Sequence, residues 1–312
     1  MPSLPDYSEW IRARMQNVPA MTGSFCGDIS GLRVLDVGCG DMMMDIGLLA
    51  LKPAHITGLD VRIREFNVLE HAAKEVSGAG YAVPYDYRGR LSYVTYKGGI
   101  FPFSDDSFDM VFSWGAFEHI TNPRVALAEA RRVVTPSGRI FIVVYPWFHA
   151  FHGSHLTAYI SEPYFHLRRS NRWVWKRLNE FLDNNPELAE QHLNFWRPEG
   201  YSMQSFLREV MWHEYRTLNG YSARRFIKEA AELGLIIEKL ETKIEDHPAA
   251  QFTRGEAYVD LVSAGTTVLF RPGKGAEVVN YRKGWLNALR SMFSDHGRRK
   301  DAQFGKNRPR FP

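Results

Sequence analysis

The residues of this chain that could do chemistry gather where apolar runs end. Val34-Leu35-Asp36-Val37-Gly38-Cys39-Gly40-Asp41 is a run of strand length that closes on an acid and two glycines one residue apart. Further on, Ile56-Thr57-Gly58-Leu59-Asp60 closes on a second acid. An ionised carboxylate can accept two hydroxyl protons at once. Glycines let the backbone pass close to a ligand. Two further groups follow: Ser113, Trp114, Glu118 and His119 after Phe108, and His149, His152, His155 and His166 in an aromatic-rich stretch.

The elements that must position these groups are read from periodicity. Met42 to Leu51 has helical spacing. Strand, glycine turn, helix and a second strand ending in an acid make the nucleotide-binding half of a Rossmann-type α/β fold. In dinucleotide enzymes a third glycine follows in G-x-G-x-x-G, and here that place holds Met43, which counts against a dinucleotide. Arg64 to Val76 reads as a helix, Leu91 to Tyr96 as a third strand, Phe108 to Phe112 as a fourth and Arg139 to Tyr145 as a fifth. Asn122-Pro123 opens a helix to Val134. Tyr221 to Leu233 is a helix with Ser222 as N-cap and Gly234 past its end. Leu235 to Leu240 and Thr266 to Phe270 are the sixth and seventh strands. Tyr7 to Met15 is a leading helix, and Gly23 to Gly31 a turn-rich approach to the first strand.

The run Leu35-Asp36-Val37-Gly38-Cys39-Gly40 resembles motif I of the class I S-adenosylmethionine-dependent methyltransferases. A second segment carries the same resemblance more specifically. Pro102, Phe103, Asp106, Ser107, Phe108, Asp109 and Val111 fit the family's lead into strand four, and Glu118-His119 fits the acid–histidine pair beyond it. Thr266 to Pro272 resembles the family's closing antiparallel strand. The resemblance covers about 32–145 and 221–272. It implies a seven-stranded, Rossmann-like, doubly wound α/β sheet, mostly parallel with the last strand antiparallel, of the methyltransferase type 11-like kind. It implies S-adenosyl-L-methionine as cofactor. Gly38, Cys39 and Gly40 would pass beside it, Asp36 near its amino group, and Asp60 with neighbouring Val61 at the ribose. Ser113 and Trp114 would lie beside its methionine part. Lys97 stands where relatives often carry an adenine-binding Asp, so the adenine must be held otherwise, for example by backbone near Gly98.

About seventy residues, 146–219, interrupt the alternation. In this family an insertion after strand five commonly forms a cap over the active site, and such a pocket is largely apolar with a few orienting polar groups. The expected division is a helical lead over 1–30, a core over 31–145 and 220–272, a cap over 146–219, and a C-terminal helix with a basic tail over 273–312. Methyl transfer is an in-line displacement for which the protein mainly supplies alignment. A hydroxyl acceptor also needs a base, and histidine suits that work. His119 at the cleft mouth and His155 on the cap are the candidates. Spacing by threes could put His149, His152 and His155 on one helix face as zinc ligands. Gly153 and Ser154 weaken that helix and no Cys or carboxylate completes the set, so no metal is assigned.

Composition sets bounds. A hydrophobic fraction of 45% can fill a real core. Two cysteines, one of them inside the glycine loop, make no disulfide framework and fit a reducing compartment. The sequence shows no signal-peptide layout and no apolar run of spanning length, so a cytoplasmic protein is expected. The formal charge of +4 gathers at Arg168 to Arg177 and in the tail from Arg298 to Arg310. The first stretch mixes basic and aromatic residues and could meet an acidic substrate or a lipid surface. No nucleic-acid module is evident. The expected activity is methyl transfer to a small molecule, with oxygen favoured as acceptor. Nitrogen or a macromolecule is the alternative, and cofactor binding without turnover is the reading from another class. The sequence does not fix the oligomeric state.

Overall fold

The computed structural model describes residues 7–62, 67–185, 203–253 and 255–274. Seven strands form one sheet: β1 Arg33–Val37, β2 His55–Asp60, β3 Leu91–Thr95, β4 Phe108–Trp114, β5 Val134–Val144, β6 Leu235–Ile244 and β7 Ser263–Pro272. Their order is β3-β2-β1-β4-β5-β7-β6. β1 pairs in parallel with β2 and β4, β2 with β3, and β4 with β5, while β7 runs antiparallel between β5 and β6. This is the doubly wound, mostly parallel sheet with an antiparallel last strand that the sequence implied.

Alternation along each strand sorts side chains to two faces. Val34, Ile56, Met110, Phe112 and Phe141 turn to one, where the Tyr7–Cys26, Met43–Leu48 and Val68–Gly78 helices cover them. Leu35, Leu59, Val111, Ile140 and Ile142 turn to the other, under the Pro123–Val133 and Ala223–Glu232 helices. Both faces are dry, as a mainly parallel sheet requires.

The leading helix is longer than its spacing predicts. It runs to Cys26 through Pro19 and Gly23, because Ile11, Met15, Val18 and Phe25 continue one buried stripe against the sheet. Both late strands also outrun expectation, and the β6–β7 connection contributes a 3-10 turn, Pro248–Phe252, and a short helix, Tyr258–Val262. The helix expected from Arg64 begins at Val68, with Asn67 accepting from the amides of Leu69 and Glu70; 63–66 lie outside the described residues. So do the expected C-terminal helix and basic tail from residue 275 on.

Between β5 and the Ala223–Glu232 helix, the described chain forms helices at Phe165–Arg168, Asn171–Asn184, Met203–Ser205 and Trp212–Thr217, with a π-helical turn at Phe206–Met211. They share an apolar cluster of their own, including Leu156, Phe165, Leu178, Phe206 and Tyr215. Trp147 anchors this region to the sheet: its backbone amide donates to the Ala264 carbonyl and its indole Nε1 to Thr266 Oγ1 at 2.8 Å.

The segment leading to β4 is fixed by one guanidinium. Arg132 donates to the carbonyls of Phe101 and Phe103, to Asp105, and to Glu129 at 2.6 Å. Glu129 in turn accepts from the Phe101 amide. A fork that satisfies carbonyls and carboxylates together is beyond a lysine. Arg132→Ala is expected to cost about 2–3 kcal/mol, and Arg132→Lys to recover less than half of that, read from urea unfolding.

Candidate active site

β1, β2 and β4 are parallel and in register, so Val37, Asp60 and Trp114 finish at one edge of the sheet. Ligands of open α/β sheets sit beyond that edge. Every cofactor-binding residue expected from the sequence lies at one of these strand ends or on the turn that leaves it.

The first turn is pressed against the third. Gly38 has φ +78, and a Cβ there would fall 2.4 Å from the Ala116 Cβ. Its amide donates to the Leu59 carbonyl at 2.8 Å. Gly40, also with positive φ, donates its amide to Asp60 Oδ2 at 2.9 Å, and Asp60 Oδ1 accepts from the Arg62 amide at 2.8 Å. Each carboxylate oxygen keeps a second acceptor position. Met42 takes φ +60 and is fully buried, its thioether lying where a side chain on Gly58 would be. Cys39 is buried among acids, which together with desolvation pushes its thiol up and keeps it protonated.

Ser113 is buried and its hydroxyl donates to the Val37 carbonyl at 2.7 Å, tying the end of β4 to the end of β1. Trp114 lies half-buried, stacked on Phe112. Val61 is exposed, near Gly98, with Ile100 also exposed beyond the Gly98-Gly99 turn. Asp36 is buried, and beside it is an acid that sequence reasoning passed over: Asp45, fully buried on the Met43–Leu48 helix. Its signal was an acid inside an otherwise apolar helical run.

The two candidate bases meet. His119, beyond β4, and His155, from the insertion, place their ring centroids 5.1 Å apart, edge to face. Burial lowers both, His119 to about 4 with help from the Arg62 charge and His155 to about 3 with help from His119. Both are neutral at pH 7. His155 holds φ +59, and its Nε2 is buried without a partner. Backbone strain of this kind gathers at functional sites. Glu118 is buried with Oε2 unpartnered, and desolvation, then the Glu214 charge, raises it to about 8. Asn219, where the chain returns from the insertion, accounts for the shape here: its amide donates to the carbonyls of Phe117 and Ile120, and its backbone N–H to that of Glu118.

The other histidines go elsewhere. His149 faces Glu256 at 3.2 Å, His152 bonds Thr157, and His166 bonds the Phe148 carbonyl. Two acids outside the Arg168–Arg177 stretch offset part of its charge: Glu162 pairs with Arg168 and Arg169, and Glu180 with Lys176 and Arg177.

These residues fit an adenosine derivative that ends in an amino acid. There is a carboxylate with spare acceptor positions at the strand-two end, a turn with no room for a side chain, and unpartnered buried carboxyls behind it. The methyltransferase-domain family matches residues 35–142. At its centre, over residues 35–142, this chain is similar to a methyltransferase domain. An O-methyltransferase of Aspergillus nomiae is 24% identical over 138 residues, 44% of this chain and 57% of that protein. A ubiquinone biosynthesis O-methyltransferase of Aromatoleum aromaticum is 27% identical over 113 residues, covering 36% and 44%. A demethylmenaquinone methyltransferase of Renibacterium salmoninarum is 27% identical over 196 residues, covering 62% and 73%. The chain thus spans about half the length of the first two relatives. The methyltransferase domain ends, as matched, before the insertion that brings His155. Among the described residues no helix is long and apolar enough to cross a membrane.

A buried carboxyl gives this site a stability signature. Glu118 binds its proton more tightly folded than unfolded, so the folded state holds more protons above the unfolded value and stability falls as pH rises from about 4.5 to about 8. Glu118→Gln is expected to gain on the wild type steadily across that window, measured as the difference in unfolding free energy at pH 5 and pH 8.

Proposed function

We propose that the chain transfers a methyl group from S-adenosylmethionine to a hydroxyl oxygen of a small molecule. The observation that supports this best is the meeting of His119 and His155 beyond the β4 end, on the same side as the Gly38 turn. One imidazole comes from the methyltransferase domain and the other from the insertion, so the acceptor pocket is built where they join. The relatives named as O-methyltransferases agree with oxygen as the atom methylated.

When bound, the cofactor supplies an electrophilic methyl on a charged sulfur. The chain does the rest. Asp60 takes the ribose hydroxyls on its spare acceptor positions, and the Gly38–Gly40 turn lies along the amino-acid part. Val61 and Ile100 offer exposed apolar surface to the adenine ring, which answers the missing Asp at Lys97. Ser113 braces the cleft floor through Val37. His119 and His155, held uncharged by burial, present a ring lone pair to the acceptor's hydroxyl, and the same burial makes each a weaker base than a free imidazole. Glu118, neutral up to about pH 8, can donate a hydrogen bond to the acceptor. The described part of the insertion, with His155, serves as the cap that excludes water from this pocket.

Asp60→Ala is expected to weaken S-adenosylhomocysteine binding at least tenfold in calorimetry. With small phenols and alcohols offered as acceptors, S-adenosylhomocysteine should form. Alanine at His119 or His155 should lower kcat by about 10²–10⁴ while leaving cofactor affinity within about threefold. Turnover with amines alone would exclude oxygen as the acceptor. Full turnover in both histidine variants would remove their assigned role, and tight cofactor binding with no turnover on any acceptor would leave a binding protein.

A further inference from the structure

The Met43–Leu48 helix carries Asp45 inward, fully buried, with neither carboxylate oxygen given a hydrogen-bond partner. Asp36, 3% exposed at the end of β1, has an unpartnered Oδ1. The two carboxyls are within hydrogen-bonding reach of one another. The charges acting on the pair are themselves acidic, Asp41 and Asp60, and the Cys39 thiol beside them is protonated. Two buried carboxylates side by side without a counter-cation are not sustainable, because neither water nor opposite charge offsets their desolvation.

From this geometry, and on the reading that the site takes S-adenosylmethionine, we infer that Asp36 and Asp45 together form an ammonium-binding pair that holds one shared proton when free and gives it up when the cofactor's α-amino group arrives. The charge balance is simple. Free, the pair with its proton carries −1. Occupied, two carboxylates and one ammonium also carry −1. The proton leaves to solvent and the ammonium takes its place, so the buried charge never changes. Asp45 is thereby a second amine-binding residue besides Asp36. Desolvation, with the acidic neighbours, raises the titration of the pair, so it still holds its shared proton at neutral pH. Binding is therefore linked to pH: affinity rises with pH on the acid side of the pair's titration.

The test is calorimetry of S-adenosylhomocysteine binding to the full chain between about pH 6 and 7.5, in phosphate and in imidazole. The two buffers differ in ionisation heat, so their difference counts released protons. The expected result is about one proton released per molecule bound, with Kd tightening about tenfold per pH unit. 5′-Methylthioadenosine has the same nucleoside but no amino group, and it should bind while releasing none. Asp45→Asn puts an amide donor beside Asp36, fixing a single carboxylate, and should bind S-adenosylhomocysteine with a pH-independent Kd and near-zero release. Asp45→Ser serves if the amide cannot be housed. Binding by the wild type without proton release would overturn the inference and leave the cofactor reading intact. Undiminished release by both variants, or equal release with 5′-methylthioadenosine, would overturn it too. Failure of the wild type to bind S-adenosylhomocysteine at all would bring down the cofactor reading and this inference with it.

Discussion

Everything at the strand ends depends on how closely the turn after β1 approaches its neighbours. Gly38 backs onto Ala116 with no space for a methyl group between them. The same turn is fixed on its other side, where the Gly38 amide bonds the Leu59 carbonyl and the Gly40 amide bonds Asp60. Three strand ends are thus locked to one another by backbone, and Ser113 adds the fourth tie through Val37. Rigid backbone is what a methyl transfer needs, since its rate depends on alignment of donor and acceptor more than on any single reactive group. Asp60 therefore has two tasks. One oxygen holds the Gly40 amide and the other the Arg62 amide, which leaves an acceptor position open on each.

Beyond that lock, the site is marked by titratable groups taken out of water. Asp36, Asp45 and Glu118 are raised, and His119, His155 and His166 are lowered, each chiefly by burial. Burial thus works against the charged form of each, and the coupled Asp36–Asp45 pair is held with one proton between its two carboxyls. Desolvation of this kind costs stability and is concentrated where polar groups wait for partners. The contrast with the surface is instructive. Arg33 and Asp109, or Arg88 and Glu70, are exposed pairs that satisfy each other and add little. Asp36, Asp45, Glu118 and the lowered histidines have no such partners of opposite charge, which is why they mark the cleft.

What could be read in the sequence was what depends on short-range pattern. Asp36, Gly38, Gly40 and Asp60 sit on adjacent strands joined by one helix, so their spacing alone brings them together. Ser222 and Gly234 bracketed their helix because capping is local. Long-range packing was not legible. Pro19 and Gly23 look like stops, yet the stripe from Ile11 to Phe25 against the sheet carries the helix through them. Asp45 read as one polar residue in an apolar helix, and its meaning depends on Asp36 nine residues away across a turn. Nor could spacing show that His119 and His155 meet, since the thirty-five residues between them include all of β5. Their names were suggested by resemblance and by position; their contact is a property of the fold.

The insertion completes the argument about division of labour. Its apolar cluster is separate from the two that cover the sheet, yet it is joined to the methyltransferase domain at both ends: Trp147 bonds β7 where the chain leaves, and Asn219 clasps the Glu118–Ile120 turn where it returns. Asn219 matters most here, because it connects the insertion's last residues to the backbone that carries both Glu118 and His119. Any displacement of the inserted helices is thus transmitted to the acid and the imidazole together. A domain whose strand ends are locked can bind a cofactor in one geometry, while an independently packed insertion can change shape among relatives to suit different acceptors. Selectivity would then reside in the surface that His155 shares with His119, where the two packing units meet.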